Sequence, residues 1–116
     1  MKKMNIKKIL VPIDFSNSSL NALQIAISLA KRHQGELHLL HVNDCDYELF
    51  KNDKRLKPGE VTNFMKKLSN LARSVVNNDK INCSYSLETG CITHCILRTG
   101  IEQNIDLILM GKNGSN

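Results

Sequence analysis

The sequence of 116 residues predicts a single α/β domain, in which a doubly wound parallel sheet carries helices on both of its faces. Two short apolar runs, at residues 9–11 and 105–110, are typical of central parallel strands that are covered on both sides. Segments with helical spacing alternate with four strand-like segments, which favours right-handed crossovers between parallel strands. The chain length allows one hydrophobic core and leaves no room for a second domain.

The first strand and the first helix form a βα unit. The first apolar run ends at a polar turn that begins with Asp14, and Ser16 or Asn17 can cap the helix that follows. Gly35 is typical of a residue just past a helix end. Between the cap and Gly35, apolar residues recur at helical spacing: Leu20, Leu23, Ala26, Ile27 and Ala30.

Residues 35–43 predict the second strand, and the polar segment at 44–59 predicts a long surface loop at its carboxyl end. The alternation of side chains along this strand defines two faces. One face carries Leu37, Leu39 and His41, and the other carries His38, Leu40 and Val42.

The second helix has the clearest amphipathic pattern in the sequence. Its apolar positions are Val61, Phe64, Met65, Leu68, Leu71, Ala72, Val75 and Val76. Residues 81–87 then alternate between apolar and polar, which predicts a strand with one buried face at the edge of the sheet. A third helix is expected from Gly90 to about Asn104, before the apolar run of the fourth strand.

The predicted strand order is 3-2-1-4, because strands one and four are the central ones by composition and strand three is the edge. The direction of winding reverses between strands one and four, and a ligand crevice belongs at such a reversal. The turn after strand four contains Gly111 and Gly114, a spacing that lets the backbone approach a ligand closely and cradle an anion. The sequence contains no P-loop and no dinucleotide fingerprint.

Three segments carry a resemblance to a known family: Lys8-Ile-Leu-Val-Pro-Ile-Asp-Phe-Ser16, Leu39-Leu-His-Val42 and Asp106-Leu-Ile-Leu-Met-Gly-x-x-Gly114. In order and spacing they resemble the universal stress protein family over nearly the whole chain. The resemblance implies a stress-response domain that often dimerises and, in one branch of the family, binds ATP at the ends of strands one, two and four. By this resemblance, Pro12, Ile13, Asp14 and Val42 flank the adenine and ribose, and Met110, Gly111 and Gly114 border the ribose and phosphates.

The sequence departs from the family pattern after Gly114. The nucleotide-binding branch continues to a further glycine followed by Ser or Thr, and then to a fourth helix and a fifth strand, whereas this sequence ends at Asn116. We therefore expect residues 1–116 to form a domain of this family that is incomplete at its C-terminal end, with a homodimer partner or another protein covering the edge of strand four. The alternative function is a dimerisation or protein-interaction module that binds no nucleotide.

Composition argues against several other partners. The formal net charge is +5, but the Lys and Arg residues are spread along the chain and form no single cluster, so we expect no nucleic-acid partner. No stretch approaches the roughly 20 apolar residues of a membrane helix, and the N-terminus lacks a secretory signal, which predicts a cytoplasmic protein without membrane contact. The four cysteines are then expected to be reduced thiols.

The sequence contains little that indicates a catalytic site or a metal site. The sequence has neither a nucleophile-elbow motif nor paired carboxylates, so ATP is expected to act as a regulatory ligand and the domain not to be an enzyme. Cys91, His94 and Cys95 fall on neighbouring positions of one helix and could contact a zinc ion. A structural zinc site needs a fourth ligand, for which Cys83 is the nearest candidate. Buried cysteines also pack well as small apolar groups, and we expect no metal site.

Overall fold

The computed structural model describes residues 5–44 and 58–112. Within these ranges, four strands and three helices alternate along the chain. They are β1 (Lys8–Pro12), α1 (Asn17–His33), β2 (Glu36–Asp44), α2 (Pro58–Ser74), β3 (Cys83–Gly90), α3 (Ile92–Glu102) and β4 (Leu107–Ile108), and a π-helical turn at Val75–Asp79 extends α2. The described part of the chain contains no helix with both the length and the apolar character needed to cross a bilayer.

The four strands form one parallel sheet in the order β3-β2-β1-β4, as predicted. The β4 ladder is shorter than the apolar run at 105–110, because only Leu107 and Ile108 pair with β1 in strand register. Two further hydrogen bonds extend this contact, from Asp106 N to Lys8 O and from Leu109 N to Leu10 O, both at 2.9 Å. The fourth segment therefore lies beside β1 for longer than the strand itself.

The helices cover both faces of the sheet, which confirms the doubly wound architecture. Alternate residues of the central strands point to opposite sides. On one side, α1 and α2 pack over the larger core, which includes Ile9, Val11, Leu23, Leu37, Leu39 and Leu68. On the other side, α3 packs over a smaller cluster of Leu10, Leu40 and Ile96.

The ends of α1 follow the sequence signals. Ser16 is the N-cap, and its Oγ accepts a hydrogen bond from Ser19 N at 3.2 Å. At the other end Gln34 adopts a left-handed conformation, with φ of 54°, and Gly35 N donates to Ala30 O at 2.8 Å. A Cβ on Gly35 would lie 2.8 Å from the carbonyl oxygen of Ile6, so the turn into β2 needs glycine at this position.

The edge strand β3 is attached by polar contacts as well as by its ladder. His38 of β2 is buried between two serine hydroxyls, with Nδ1 2.7 Å from Ser84 Oγ and Nε2 2.8 Å from Ser86 Oγ. Burial, followed by the positive charge of Lys8, lowers the pKa of His38, so its ring is neutral at pH 7. A neutral ring can donate to one serine and accept from the other.

The third strand begins and ends later than the predicted segment at 81–87. Ile81 is buried in the larger core but precedes the strand, because Lys80 adopts a left-handed conformation with φ of 59° and redirects the chain. Partial burial raises the pKa of the Cys83 thiol to about 12, so this cysteine stays protonated. No disulfide joins the described cysteines, which are Cys83, Cys91 and Cys95.

Candidate functional site

A cavity of about 200 Å³ opens where the carboxyl ends of β1 and β4 separate. Its lining comes from the end of β1, the first turn of α1, β2, the start of α3 and the residues after β4. The lining residues are Pro12, Ile13, Asp14, Ser18, Ser19, Leu40, Val42, Ile92, Met110 and Gly111. The cavity therefore lies at the reversal of winding where the strand order predicts a crevice.

Six of the seven predicted site residues lie together in this lining. They are Pro12, Ile13, Asp14, Val42, Met110 and Gly111. The seventh, Gly114, lies outside the described residues. The other four lining residues were not predicted as site residues: Ser18, Ser19, Leu40 and Ile92. The two serines belong to the polar stretch at 16–19, which indicated a helix cap, and the two apolar residues follow only core-like patterns.

The cavity is small and mainly apolar. Leu40 is fully buried, and Val42 and Ile92 are partly buried beside it, so the base of the cavity has little polar character. Pockets for drug-sized ligands usually enclose about 300–1,000 Å³. A cavity of about 200 Å³ therefore accommodates a flat ring the size of a nucleobase, while larger groups of a ligand would extend beyond it.

Asp14 lies at the rim and organises the turn between β1 and α1. Its Oδ1 accepts a hydrogen bond from Ser16 N at 2.9 Å, which makes the residue a turn former as well as a cavity residue. Hydrogen bonding from Ser16 lowers the pKa of Asp14, against the opposing effect of partial desolvation. The side chain is thus an exposed carboxylate at neutral pH, able to accept hydrogen bonds from a ligand.

Phe15, the next residue, has an unusual backbone conformation. Its φ of 65° is in the left-handed region, which costs a bulky residue about 1–2 kcal/mol. The ring is held by two other rings, with centroid distances of 5.4 Å to His41 and 6.1 Å to Phe64. Aromatic packing thus offsets the local strain. Nothing in the sequence pattern signals the left-handed conformation, because no glycine or asparagine occupies this position.

His41 contacts the same turn from β2. Its Nδ1 lies 2.6 Å from the carbonyl oxygen of Ile13, and the side chain is buried. Sequence alternation placed His41 correctly on the face of Leu37 and Leu39, but its bond to Ile13 was not foreseen. The one available signal was a histidine on an otherwise apolar face, since a buried polar group requires a partner.

Gly111 brings the end of β4 against the first turn of α1. A Cβ at this position would lie 2.6 Å from the carbonyl carbon and oxygen of Ser18 and 2.7 Å from Ser19 N. All three are backbone atoms of the helix, which cannot move aside as a flexible side chain could. Close packing therefore requires glycine here, independently of any ligand.

The electrostatics around the cavity are mixed. The first turn of α1 carries no acidic side chain, so the partial positive charge of the helix N-terminus is not neutralised by a residue of that turn. Lys112 is exposed directly after Gly111. In the described ranges no three His, Cys, Asp or Glu side chains are grouped to hold a metal ion. Cys91, which precedes α3, and His94 and Cys95 within α3 therefore form no such group.

Solved structures with the same fold include proteins that carry adenine nucleotides. The universal stress protein UspA from Lactobacillus plantarum is similar to this chain, with 26% identity, a TM-score of 0.80 and coverage of 98% of this chain and 82% of that one. A universal stress protein in complex with cAMP shows 17% identity, a TM-score of 0.65 and coverage of 91% and 76%. A universal stress protein family protein from Arabidopsis thaliana with AMP bound shows 16% identity, a TM-score of 0.60 and the same coverage of 91% and 76%.

The family assignment comes from the sequence as a whole. Comparison with curated proteins finds no match. The family model described as the universal stress protein family matches residues 5–116, which is nearly the entire sequence. The matched region contains the β1, β2 and β4 segments that carry the resemblance. This chain belongs to the universal stress protein family.

Proposed function

We propose that this domain binds an adenine nucleotide, ATP, in the cavity at the carboxyl ends of β1, β2 and β4, and that the bound nucleotide regulates the domain. The observation that carries the proposal is the convergence of Asp14, Val42 and Gly111 on one cavity at the reversal of winding. Two proteins of the same fold hold AMP or cAMP, which supports an adenine nucleotide as the ligand class. A stress-response role in the cytoplasm is part of the same proposal.

Each part of the cavity suits a different part of the ligand. The apolar residues Leu40, Val42 and Ile92 would contact the adenine ring, because an aromatic base gains most from burial against apolar side chains. The Asp14 carboxylate would accept hydrogen bonds from ribose hydroxyls. Met110 and Gly111 would border the ribose and phosphates, together with Gly114. Lys112 would add a positive charge near the phosphates.

A regulatory role is favoured over rapid hydrolysis. Among the cavity residues, the titratable side chain is Asp14, and its lowered pKa makes it a weak general base at neutral pH. Bound ATP would then persist and alter the shape of the domain or its choice of partner.

Calorimetric titration of ATP tests the site directly. Val42→Phe adds bulk to the cavity wall, whereas Val76→Phe makes the same change at an exposed position on the turn after α2. We expect ATP to bind the unmodified chain and the Val76→Phe variant equally, and the Val42→Phe variant at least about tenfold more weakly, a difference of about 1.4 kcal/mol. Equal affinity for both variants would place the nucleotide elsewhere, and absence of heat with all three proteins would refute the proposed function.

The second candidate function, a dimerisation or interaction module, rests on a different surface. The outer edge of β4 has no partner strand among the described residues. Near this edge the side chains of Leu97, Ile101 and Ile108 are 58%, 79% and 37% exposed. Exposed apolar patches beside an open strand edge favour association with another chain. We propose a homodimer that covers this edge, whether or not ATP is bound.

A further inference from the structure

We propose that His41 is a positioning residue that fixes the turn at residues 13–16, and thereby the Asp14 wall of the cavity. It makes no contact with the cavity itself, since it faces the opposite side of β2 from Leu40 and Val42. Its influence would pass through the backbone of Ile13. The consequence for ATP affinity rests on the proposed function, whereas the consequence for the turn does not.

The hydrogen bond identifies the protonated nitrogen of the ring. The Ile13 carbonyl can only accept, so the hydrogen in the 2.6 Å contact must be on Nδ1 of His41. The amide of the same residue donates to Leu40 O at 2.8 Å. Ile13 is therefore held by β2 through both its N–H and its C=O, immediately before the chain leaves the sheet.

The ring of His41 is itself oriented by α2. It stacks on Phe64 with a centroid distance of 4.4 Å and an interplanar angle of 24°. The Phe15 ring packs against both, and the Lys67 ammonium lies 5.3 Å from the Phe15 centroid and 5.7 Å from that of Phe64. Such cation–π contacts are attractive. The three rings and Lys67 thus hold Phe15 in its left-handed conformation.

This arrangement connects α2 to the cavity. Movement of the α2 turn that carries Phe64 and Lys67 would reorient the His41 ring and release the Ile13 carbonyl. The Asx turn of Asp14 and the Ser16 cap follow directly in sequence, so both would loosen. The amides of Ser16 and Ser19 report on this loosening, because each donates to a side-chain oxygen within the turn.

The first test uses the unmodified chain. Histidine labelled with ¹⁵N distinguishes the two neutral tautomers by NMR, and we expect His41 to carry its hydrogen on Nδ1 and to exchange it slowly. An Nε2–H tautomer would overturn the proposal, because the Ile13 carbonyl would then have no donor from this ring. This measurement needs neither a variant nor a nucleotide.

The second test compares two substitutions. His41→Phe keeps an aromatic ring but removes the donor, and His41→Asn removes the ring but keeps an N–H at the position of Nδ1. We expect His41→Phe to accelerate hydrogen exchange at Ser16 and Ser19 about tenfold relative to β2 amides, and to weaken ATP binding. His41→Asn keeps the donor but loses the ring contacts to Phe15 and Phe64, so it should accelerate exchange at both serines less than His41→Phe does.

The outcomes separate this inference from the proposed function. Unchanged exchange at the two serines in His41→Phe would overturn the positioning role, as would exchange in His41→Asn that is as fast as in His41→Phe. If the unmodified chain binds no ATP, the proposed function fails, while the tautomer and the exchange rates still decide whether His41 fixes the turn. If His41→Phe does not fold, the tautomer of His41 in the unmodified chain decides whether this residue fixes the turn.

Discussion

Replacing Gly111 with alanine is expected to destabilise the domain by about 1–3 kcal/mol, the usual cost of forcing extra volume into a packed region. The added Cβ would meet backbone atoms of Ser18 and Ser19 at 2.6–2.7 Å, so either α1 or the end of β4 must shift. Because both segments line the cavity, ATP binding should weaken in parallel. Thermal unfolding, with calorimetric titration on the same samples, measures both effects.

Gly59→Ala is the matched control for this substitution. Gly59 lies at the start of α2, and a Cβ there would meet no atom within 4 Å. We expect the midpoint temperature of thermal unfolding of Gly59→Ala to equal or slightly exceed that of the unmodified chain, because alanine has a higher helix propensity than glycine. If Gly111→Ala proves as stable as Gly59→Ala, the close approach between β4 and α1 does not exist in solution.

The homodimer proposal predicts a large effect of a substitution near the β4 edge on the molecular mass in solution. In sedimentation equilibrium, the unmodified chain should have twice the mass of one chain, and Ile101→Lys should raise the dimer dissociation constant at least about tenfold. The reason is that Ile101, 79% exposed on α3, would be buried at the interface in both copies, where a full aliphatic side chain contributes about 1.5–3 kcal/mol. A charged side chain at that position also costs desolvation.

Ile25→Lys provides the control for association. Ile25 is 55% exposed on α1, which packs on the opposite face of the sheet from α3, so the same chemical change there should leave the dimer intact. A monomeric unmodified chain at high concentration would contradict the dimer. If Ile101→Lys and Ile25→Lys weaken the dimer equally, the cause is the added net charge and not a contact of Ile101 at the interface.

The fold could be predicted from the sequence because its elements are locally encoded. The continuous apolar run of β1 marked a central strand, and the alternation at 81–87 marked an edge strand, which together fixed the order 3-2-1-4. Strand order in turn located the cavity, so Asp14 and Gly111 could be paired although they are far apart in sequence. The length of β4 was harder to predict from the sequence, because an apolar run does not reveal where its hydrogen bonds with β1 stop.

The interactions that shape the cavity wall were harder to foresee because they depend on tertiary contacts. The left-handed conformation of Phe15 is sustained by rings from β2 and α2, and no local preference favours it. The bond from His41 to Ile13 joins positions 28 residues apart. Likewise, the sequence pattern predicts that Gly111 borders a ligand, whereas the close approach of its backbone to Ser18 is a tertiary contact that the sequence pattern does not reveal.

Mapping the ATP contacts by amide NMR shifts tests the central claim most directly. On titration of ATP into the ¹⁵N-labelled chain, the largest shifts should fall on Ile13, Asp14, Val42 and Gly111, at the carboxyl ends of three strands. Lys7 and Gly35, at the opposite end of the sheet, should be unaffected. Saturable shifts concentrated at that opposite end, or on the exposed face of α3, would contradict a nucleotide site between β1 and β4.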